Sequence, residues 1–380
     1  MPHKFEPTKE VVIHSIKTFK QFLRKGILLK NCTLQNIDFT PVDISWENLK
    51  ISNTAFLGCQ LSLEAEIKLR QKGATIINAP KNLPYNPFRS KLYSWQELMD
   101  GYDFEDDKSS DLKIYKHFSK EKYTPSINEA LWQRIHDHSM DDALRELLHF
   151  GNDGMTKEKC VGVMGGHSTR RDDPFYKKAA QTAKLLTENG YLVASGGGPG
   201  IMEATNLGAY FAGKDDEDLM EAIKTLKKAP HYSDKKFHKQ AFKVFDKYPK
   251  GADSLAIPTW FYGHEPSNLF ATHIAKYFSN SIREDTLLAV SLYGIICAPG
   301  SAGTVQEIFM DATQNHYGTF NFYSPMIFLG VEHYSVKTMI YPLVKQLAWG
   351  RKYYDLLHIT DKPKDVLEFL INHPPFKHKK

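Results

Sequence analysis

The chain has 380 residues, of which 42% are hydrophobic, so it is long enough for two domains or for one large domain with appended pieces. Its 49 Lys and Arg against 44 Asp and Glu give a formal charge of +5, a mixed surface that excludes the basic excess of a nucleic-acid-binding protein and suits a small anionic ligand. The four cysteines lie far apart with no CxxC pair, which indicates neither a zinc site nor a disulfide scaffold and favours a reducing compartment.

The N-terminal sequence MPHKFEPTKEVV lacks the apolar stretch of a signal peptide. No apolar run in the chain approaches the ~18 residues that cross a bilayer. We therefore expect a cytoplasmic protein with no membrane partner.

In the N-terminal region, apolar residues recur at every fifth position, namely Leu29, Leu34, Phe39, Ile44 and Leu49. A matching grid of polar residues consists of Asp38, Asp43, Asn48 and Asn53. This period fits neither a helix nor a strand, but it resembles a pentapeptide-repeat segment, which winds a square β-solenoid with the apolar residues inward. The alternative is an irregular chain with chance periodicity. About five repeats bury little, so we expect residues 1–80 to form a short segment that leans on other structure.

Residues 81–150 contain APKNLPYNPF and the acidic run DFEDDKSSD, which are typical of loops and linkers with short helices. They end in a strong amphipathic pattern from Ile127 to Phe150, which predicts a helix. The boundary to the C-terminal domain, residues 151–380, is expected near Gly151.

From there the chain alternates apolar runs with amphipathic ones. The runs predict strands at 159–164, 191–195, 294–298 and 326–329, and helices at 174–189 and 304–314. Strands that lead directly into Gly-rich turns and helices indicate an α/β fold, a doubly wound parallel sheet of Rossmann-like type. Its ligand crevice should lie at the carboxyl ends of the strands.

Three turns fall at those strand ends and are expected to converge on one crevice. Their candidate binding residues are Gly165, Gly166, His167 and Ser168; Gly196, Gly197, Gly198, Gly200 and Met202; and Gly300, Ser301, Ala302, Gly303 and Thr304. Glycines let the backbone approach a ligand closely, and the free N–H groups at the start of the following helix attract an anion such as phosphate. A single turn of this kind would usually reflect tight packing alone, but three in register are a stronger signal.

The turns match neither G-x-G-x-x-G with its acidic ribose ligand nor the phosphate loop with its lysine, so NAD and ATP chemistry are disfavoured. Glu307 follows the third turn, in the first turns of a helix. Its ordinary role would be a favourable interaction with the helix dipole, but a glutamate that faces the ligand could hold a ribose hydroxyl or a water.

Pro299-Gly-Ser-Ala-Gly-Thr-Val-Gln-Glu307 resembles the PGGxGTxxE signature of the Lonely Guy family of phosphoribohydrolases, and Ser195-Gly-Gly-Gly-Pro-Gly-Ile-Met-Glu-Ala204 resembles its GGGxxGxM segment. With Gly165-Gly-His-Ser168 and Glu265-Pro-Ser-Asn268, the chain is similar more narrowly to the pyrimidine/purine nucleotide 5′-monophosphate nucleosidases of that superfamily. The resemblance covers about residues 160–329. Such domains are often labelled lysine decarboxylases, but nothing in the chain resembles a pyridoxal phosphate site.

The resemblance implies that Glu307 and Arg283 are the catalytic residues. Two departures bear on the site, since Ser301 replaces the second signature glycine and Gln306 replaces a frequent acidic residue. The interval from Arg283 to Pro299 is one residue longer than the expected pattern, which leaves a surface salt bridge as the alternative for Arg283.

Three further features have two interpretations each. His167 and Ser168 lack a partner acid for a triad and are expected to line the nucleotide pocket. Glu203 is either a substrate contact or an ordinary acid in the first turn of a helix. The stretch 224–250 holds nine lysines between aromatic residues, which is typical of the solvated face of amphipathic helices, with a cationic lid as the alternative.

The resemblance implies hydrolysis of the N-glycosidic bond of a nucleoside 5′-monophosphate to free base and ribose 5-phosphate, without metal or other cofactor. The alternatives are a non-catalytic nucleotide sensor or carrier on the same fold, and a phosphoribohydrolase specific for cytokinin nucleotides. A homo-oligomer is implied by the resemblance.

Overall fold

The computed structural model describes residues 10–24, 28–78, 80–105, 107–151, 155–265 and 267–378. The first nine residues of the N-terminal sequence, residues 152–154 at the expected domain boundary, and Pro266 of the Glu265-Pro-Ser-Asn268 motif lie outside them. The chain forms two compact units, each built from two segments. The first consists of residues 1–91 with 126–143, and the second of residues 92–125 with 144–380.

The first unit contains a four-stranded parallel sheet in the order β1-β2-β3-β4. Its strands are β1 (Val11–Ile13), β2 (Leu28–Gln35), β3 (Lys50–Leu57) and β4 (Thr75–Ile77), and its helices include α1 (Ile16–Arg24) and α2 (Leu63–Gln71). Paired residues are 20–22 positions apart, as in Val11 with Cys32, Leu28 with Lys50 and Ala55 with Thr75. One turn of this coil therefore takes about four five-residue repeats.

The apolar residues of the five-residue grid point into this unit. Leu29, Leu34, Phe39 and Leu49 are buried, and Ile44 is partly buried against the same core. The period thus arises because each fifth residue faces the inside of the coil, while Asp38, Asp43, Asn48 and Asn53 are exposed. The parallel β segment predicted from the sequence is confirmed.

The second unit contains a seven-stranded sheet in the order β12-β11-β9-β5-β6-β7-β8, with every pair parallel. Its strands are β5 (Cys160–Met164), β6 (Leu192–Ser195), β7 (Leu255–Ala256), β8 (His273–Ile274), β9 (Ile295–Cys297), β11 (Met326–Leu329) and β12 (Leu357–Thr360). A separate antiparallel pair joins β10 (Phe322–Tyr323) to β13 (Phe376–Lys377). From β5 the chain builds outward to β8, then returns to place β9 on the other side of β5, so the winding reverses between β5 and β9.

Helices separate these strands except β7 and β8, as expected of a doubly wound fold, and the predicted fold class is confirmed. Those that follow the long helix α5 (Ile127–Leu148) are α6 (Pro174–Glu188), α7 (Ile201–Tyr210), α8 (Asp216–Leu226), α9 (Phe237–Lys247), α10 (Asn280–Val290), α11 (Ala302–Tyr317), α12 (Ile340–Leu347) and α13 (Pro363–Asn372). Helix α6 begins at an Asp173 cap, with Pro174 in its first turn. Within the described residues, no helix is both long and apolar enough to cross a membrane.

The division into units differs from the three segments expected from the sequence. Residues 92–125, which include α3 (Trp95–Leu98) and α4 (Ser110–Glu121), belong with the Rossmann-like sheet. Tyr93 pairs with Ile274 of β8 in an isolated antiparallel bridge, so this segment extends the sheet edge. A contact of this kind leaves no periodic signal in the sequence, and the segment has the composition of a linker.

Candidate active site

A cavity of about 620 Å³ opens at the carboxyl ends of the parallel strands in the second unit. It lies where the winding reverses between β5 and β9, the position at which doubly wound sheets bind their ligands. The volume falls within the usual range of small-molecule sites. All three Gly-rich turns contribute to its lining, as the sequence predicts.

Backbone contacts join the three turns into one floor. The N–H of Gly166 donates to the carbonyl of Pro299 at 3.0 Å, and the N–H of Ile201 donates to the carbonyl of Gly166 at 3.1 Å. A Cβ on Gly300 would lie 2.1 Å from Thr304 Oγ1 and 2.9 Å from Gly166 N. The turn after β9 therefore packs against the turn after β5 too closely for any residue but glycine.

The start of α11 forms one wall of the cavity, through Ser301, Ala302, Gly303 and Thr304. The first N–H groups of a helix have no partner within the helix and carry the positive end of its dipole. The first turn of α11 contains no acidic residue, and Ser301 makes no side-chain cap. This wall can therefore bind an anion such as phosphate through backbone N–H groups.

Arg283 of α10 and Glu307 of α11 meet in the same cavity. Arg283 Nη1 donates to Glu307 Oε1 at 3.0 Å, and both side chains are about nine-tenths buried. The carbonyl of Ile257 accepts a hydrogen bond from Arg283 Nε at 2.7 Å. The guanidinium also packs closely on Gly196, where a Cβ would lie 2.3 Å from Nη2. The additional residue before Pro299 has not moved Arg283 out of the site, and a surface salt bridge does not describe it.

Burial raises the pKa of Glu307, against the lowering effect of Arg283, and the nearby Glu284 raises it further. Gln306, which stands at the frequently acidic position, donates to Glu284 Oε2 at 2.7 Å. An acidic residue at 306 would place a third carboxylate beside these two, so the glutamine limits the repulsion around Glu307.

The cavity brings together most of the predicted site residues. They are Gly165, Gly166, His167, Gly196, Gly197, Gly198, Met202, Arg283, Ser301, Ala302, Gly303, Thr304 and Glu307. Ser168, Gly200, Glu203 and Gly300, all within the described residues, do not line it. Gly200 and Gly300 shape the floor through their backbones.

Glu203 faces away from the cavity and lies in a buried cluster. Its carboxylate accepts from Arg171 Nε at 2.8 Å and from the Tyr176 hydroxyl at 2.9 Å, and the side chain is 4% exposed. Arg171 Nη1 also donates to the carbonyls of Ala229 and Phe237. Glu203 is thus a structural acid, which holds an arginine that fixes residues 229–237.

The fixed residues 229–237 lie within the lysine-rich stretch. Its nine lysines are all exposed, while Phe237 is buried and Phe242, Phe245 and Tyr248 pack on the core, so the interpretation as amphipathic helices is confirmed for α8 and α9. Tyr232, between these helices, lines the cavity beside His167, with ring centroids 6.0 Å apart. None of the lysines contributes to the cavity wall as the structure describes it.

Sequence analysis missed the part of the cavity that follows β7 and β8. It consists of Pro258, Thr259, Tyr262, Gly263, His264 and Lys276, and it adjoins Glu265 and Ser267 of the nucleosidase-like motif, which the sequence analysis quoted without assigning them to the site. Strands of two residues and turns without a glycine cluster give no periodic signal. Among the described residues there is no cluster of three or more His, Cys, Asp or Glu arranged for a metal ion.

Comparison with known sequences gives one family match. Residues 158–214, which contain the first two Gly-rich turns, match the SLOG cluster4 family. No curated protein matches the chain.

Solved structures overlap the chain loosely. The molybdenum cofactor binding protein from Rippkaea orientalis is 14% identical with a TM-score of 0.36, and covers 57% of this chain with 98% of its own. The molybdenum cofactor carrier protein from Chlamydomonas reinhardtii is 13% identical with a TM-score of 0.36, over 57% of this chain and 100% of its own. TM1055 is 14% identical with a TM-score of 0.33 over 57% of this chain and 99% of its own. Overlaps at this level say nothing of a ligand for the cavity described above.

Proposed function

We propose that the chain is a Lonely Guy-like Rossmann protein, which its SLOG cluster4 match over residues 158–214 supports, and that it hydrolyses nucleoside 5′-monophosphates at the N-glycosidic bond. The products are the free base and ribose 5-phosphate. The observation that carries this proposal is the buried Arg283–Glu307 pair in the same cavity as the start of α11. The start of α11 binds an anion, and Glu307 offers a carboxylate to the cation that develops nearby.

The phosphate would bind at the start of α11, where Ser301 to Thr304 form the wall. The backbone N–H groups there are fixed before the ligand arrives, so the enzyme loses little free energy in ordering them. The Ser301 hydroxyl adds a side-chain donor that the signature glycine would lack. Anchored in this way, the ribose would lie within reach of Glu307, which belongs to the same helix.

In the reaction, the C1′–N bond breaks and its electron pair leaves with the base, while positive charge develops on C1′ and the ring oxygen. Water then forms the new C1′–O bond, and its proton is transferred, directly or through solvent, to the departing base. Glu307 would stabilise the cation and orient the water or the ribose hydroxyls. Within the described structure, Arg283 is the one donor to the Glu307 carboxylate, which leaves Oε2 for this role.

A panel of nucleotides tests the proposal. The full-length protein is incubated with AMP, GMP, IMP, CMP, UMP, an N6-isopentenyl AMP and the matching nucleosides, and the free base is measured by chromatography. Release of base from several common monophosphates is the expected result. Release only from the N6-modified nucleotide would indicate the cytokinin-specific enzyme. Tight binding without release would indicate a carrier or sensor.

A further inference from the structure

A second charged cluster adjoins the cavity, at the end opposite the β9 turn. Lys276 Nζ lies 2.8 Å from Oδ1 and 2.9 Å from Oδ2 of Asp111, and also bonds to the hydroxyl of Ser267 at 3.2 Å. Lys276 and Ser267 line the cavity, and each is less than 5% exposed. This pair plays no part in the phosphate site or in the Arg283–Glu307 pair.

Asp111 holds the lysine in place from α4. Its carboxylate also accepts from Trp260 Nε1 at 2.8 Å and from Ser267 Oγ at 2.8 Å. Burial is the largest single effect and would raise the pKa of this carboxyl, but the charge and hydrogen bond of Lys276, with His264 and the Ser267 hydrogen bond, together lower the pKa. A carboxylate with this many donors is fixed, and it fixes the direction of the ammonium group in turn.

The ammonium retains one hydrogen for a ligand. Its hydrogen bonds to described residues are one to Asp111 Oδ2 and one to Ser267 Oγ, while Asp111 Oδ1 makes a close ion-pair contact without a further hydrogen bond, so the third hydrogen can turn to a ligand in the cavity. His264 lines the cavity beside it, with Nε2 3.9 Å from Asp111 Oδ2, too far for a hydrogen bond. Burial lowers the pKa of His264, so the ring is neutral at neutral pH and adds no second charge.

Lys276 lines the same cavity as the start of α11, so a nucleotide with its phosphate at the β9 turn can extend its base toward the lysine. The turn that carries Ser301 follows β9, whereas Lys276 follows β8, four strand spacings away across β5, β6 and β7. A ligand anchored by phosphate at β9 and cleaved at Glu307 would direct its base toward β7 and β8.

We infer that Lys276, positioned by Asp111, donates a hydrogen bond to a carbonyl oxygen of the nucleobase and so selects oxo-bases over adenine. This inference rests on the proposed nucleosidase function. A base that presents an oxygen at this point satisfies the free hydrogen of the ammonium. An amino group at the same point would place one donor against another, and the remaining hydrogen of the ammonium would be buried without an acceptor.

The same contact would also assist the reaction. When the C1′–N bond breaks, its electron pair is delocalised over the base, and in an oxo-base part of that charge develops on the carbonyl oxygen. A fixed ammonium at this oxygen interacts more strongly with the departing base than with the bound substrate. Lys276 therefore acts on kcat as well as on binding.

IMP and AMP provide the test, because the two nucleotides differ at C6, where one has a carbonyl and the other an amino group. We expect the full-length protein to prefer IMP, and Lys276→Met to lower the ratio of kcat/KM for IMP over AMP about tenfold or more. Asp111→Asn keeps the shape but removes the charge that orients the lysine, and should lower the same ratio by a smaller factor. A loss of stability alone would lower kcat/KM for both substrates by the same factor and leave their ratio unchanged.

Two further variants keep the test decisive. Lys184→Met removes a mostly buried lysine whose partners, Glu188 and Asp216, lie outside the cavity, and it should leave the ratio unchanged. If Lys276→Met fails to fold because Asp111 is left unpaired, Asp111→Asn with Lys276→Met removes both charges and should show the same fall in the ratio.

A folded variant lacking Lys276 with an unchanged ratio would overturn the inference and leave the nucleosidase proposal intact. If the wild-type protein releases no base, the nucleosidase proposal fails, and the ratio of dissociation constants for IMP and AMP replaces the kinetic ratio. Preference for IMP that depends on Lys276 would still support the contact. Equal binding of both nucleotides, or binding of neither, would overturn it.

Discussion

Arg283 Nη1 and Glu307 Oε1 lie 3.0 Å apart, although the two residues come from successive helices with β9 between them in the chain. The pair is mostly buried, and the arginine is fixed by the Ile257 carbonyl before any ligand binds. Breaking a buried ion pair costs much free energy, because the remaining charge has neither a partner nor solvent around it. The pair should therefore keep one geometry through the reaction.

Glu307→Gln keeps the size of the side chain and removes the negative charge. We expect base release to fall about a hundredfold or more, because the charge developing at C1′ loses its carboxylate. Nucleotide binding should change little, since the phosphate is held by backbone N–H groups. Chromatography of the free base and calorimetry of binding measure the two effects. Glu188→Gln, an acid outside the cavity, serves as the control, and unchanged turnover in Glu307→Gln would remove this residue from the mechanism.

Gly300→Ala tests the phosphate anchor. The added Cβ would lie 2.1 Å from Thr304 Oγ1, so the turn must shift away from the start of α11. We expect KM for AMP to rise about tenfold, the loss of roughly one charge-assisted hydrogen bond, with little effect on any slow cleavage of adenosine. The preference for monophosphate over nucleoside is the quantity to measure. A wild-type protein that cleaves AMP and adenosine at similar rates would contradict the anchor itself.

The sequence predicted the parallel sheet and the Gly-rich turns that line the cavity because both depend on local patterns. The β5, β6 and β9 turns each combine a buried strand, a glycine turn and a helix, and these signals lie next to one another in the chain. The part of the cavity around Lys276 could not be predicted, since Asp111 and Lys276 are 165 positions apart and β7 and β8 have two residues each. For Glu203 the local pattern was misleading. Its position in a signature suggested a substrate contact, but the sequence does not reveal that Arg171 faces it.

The buried carboxyl of Asp311 should make the stability of the protein depend on pH. Burial raises the pKa of its carboxyl from 3.8 to about 8, and Oδ2 has no hydrogen-bond partner in the described structure. Between these two values the folded protein holds a proton that the unfolded chain has lost, so the free energy of unfolding falls as the pH rises through this window. The stability that the neutral carboxyl contributes is therefore fully present below the unfolded pKa and lost above the folded one.

Asp311→Asn stays neutral at every pH and should remove this fall. We expect its Tm to exceed that of the wild-type protein at about pH 9 and to match it more closely at about pH 5. Thermal unfolding followed by circular dichroism measures both. The exposed Asp361→Asn should leave the pH profile unchanged. A Tm difference that is the same at both pH values would contradict a protonated Asp311.

Glu203→Gln distinguishes a structural acid from a substrate contact. Removing the charge leaves Arg171 buried without its partner, and we expect a loss of about 3–5 kcal/mol in the free energy of unfolding. In Glu203→Gln with Arg171→Met, the loss should be smaller than the sum of the two single losses, because the variants remove the same interaction. Urea unfolding gives these values. A substrate contact would instead raise KM and leave the unfolding transition where it was.

A cut at Gly151 tests how the N-terminal 150 residues contribute. It removes α4, and with it Asp111, so Lys276 would remain in the second unit as a buried charge without its carboxylate. Because each unit contains two segments of the chain, no single cut separates them, and apolar surface would be exposed in the fragment 151–380. We expect this fragment to aggregate, whereas the full-length protein should form a homo-oligomer of defined size. Size-exclusion chromatography with light scattering distinguishes the two.

Asp111→Asn in the full-length protein should keep the oligomer and lose only part of the stability, since the amide can still hydrogen-bond Trp260 and Ser267. A soluble fragment 151–380 with full activity and the same oligomeric state would show that neither Asp111 nor the rest of the first 150 residues is needed by the catalytic unit.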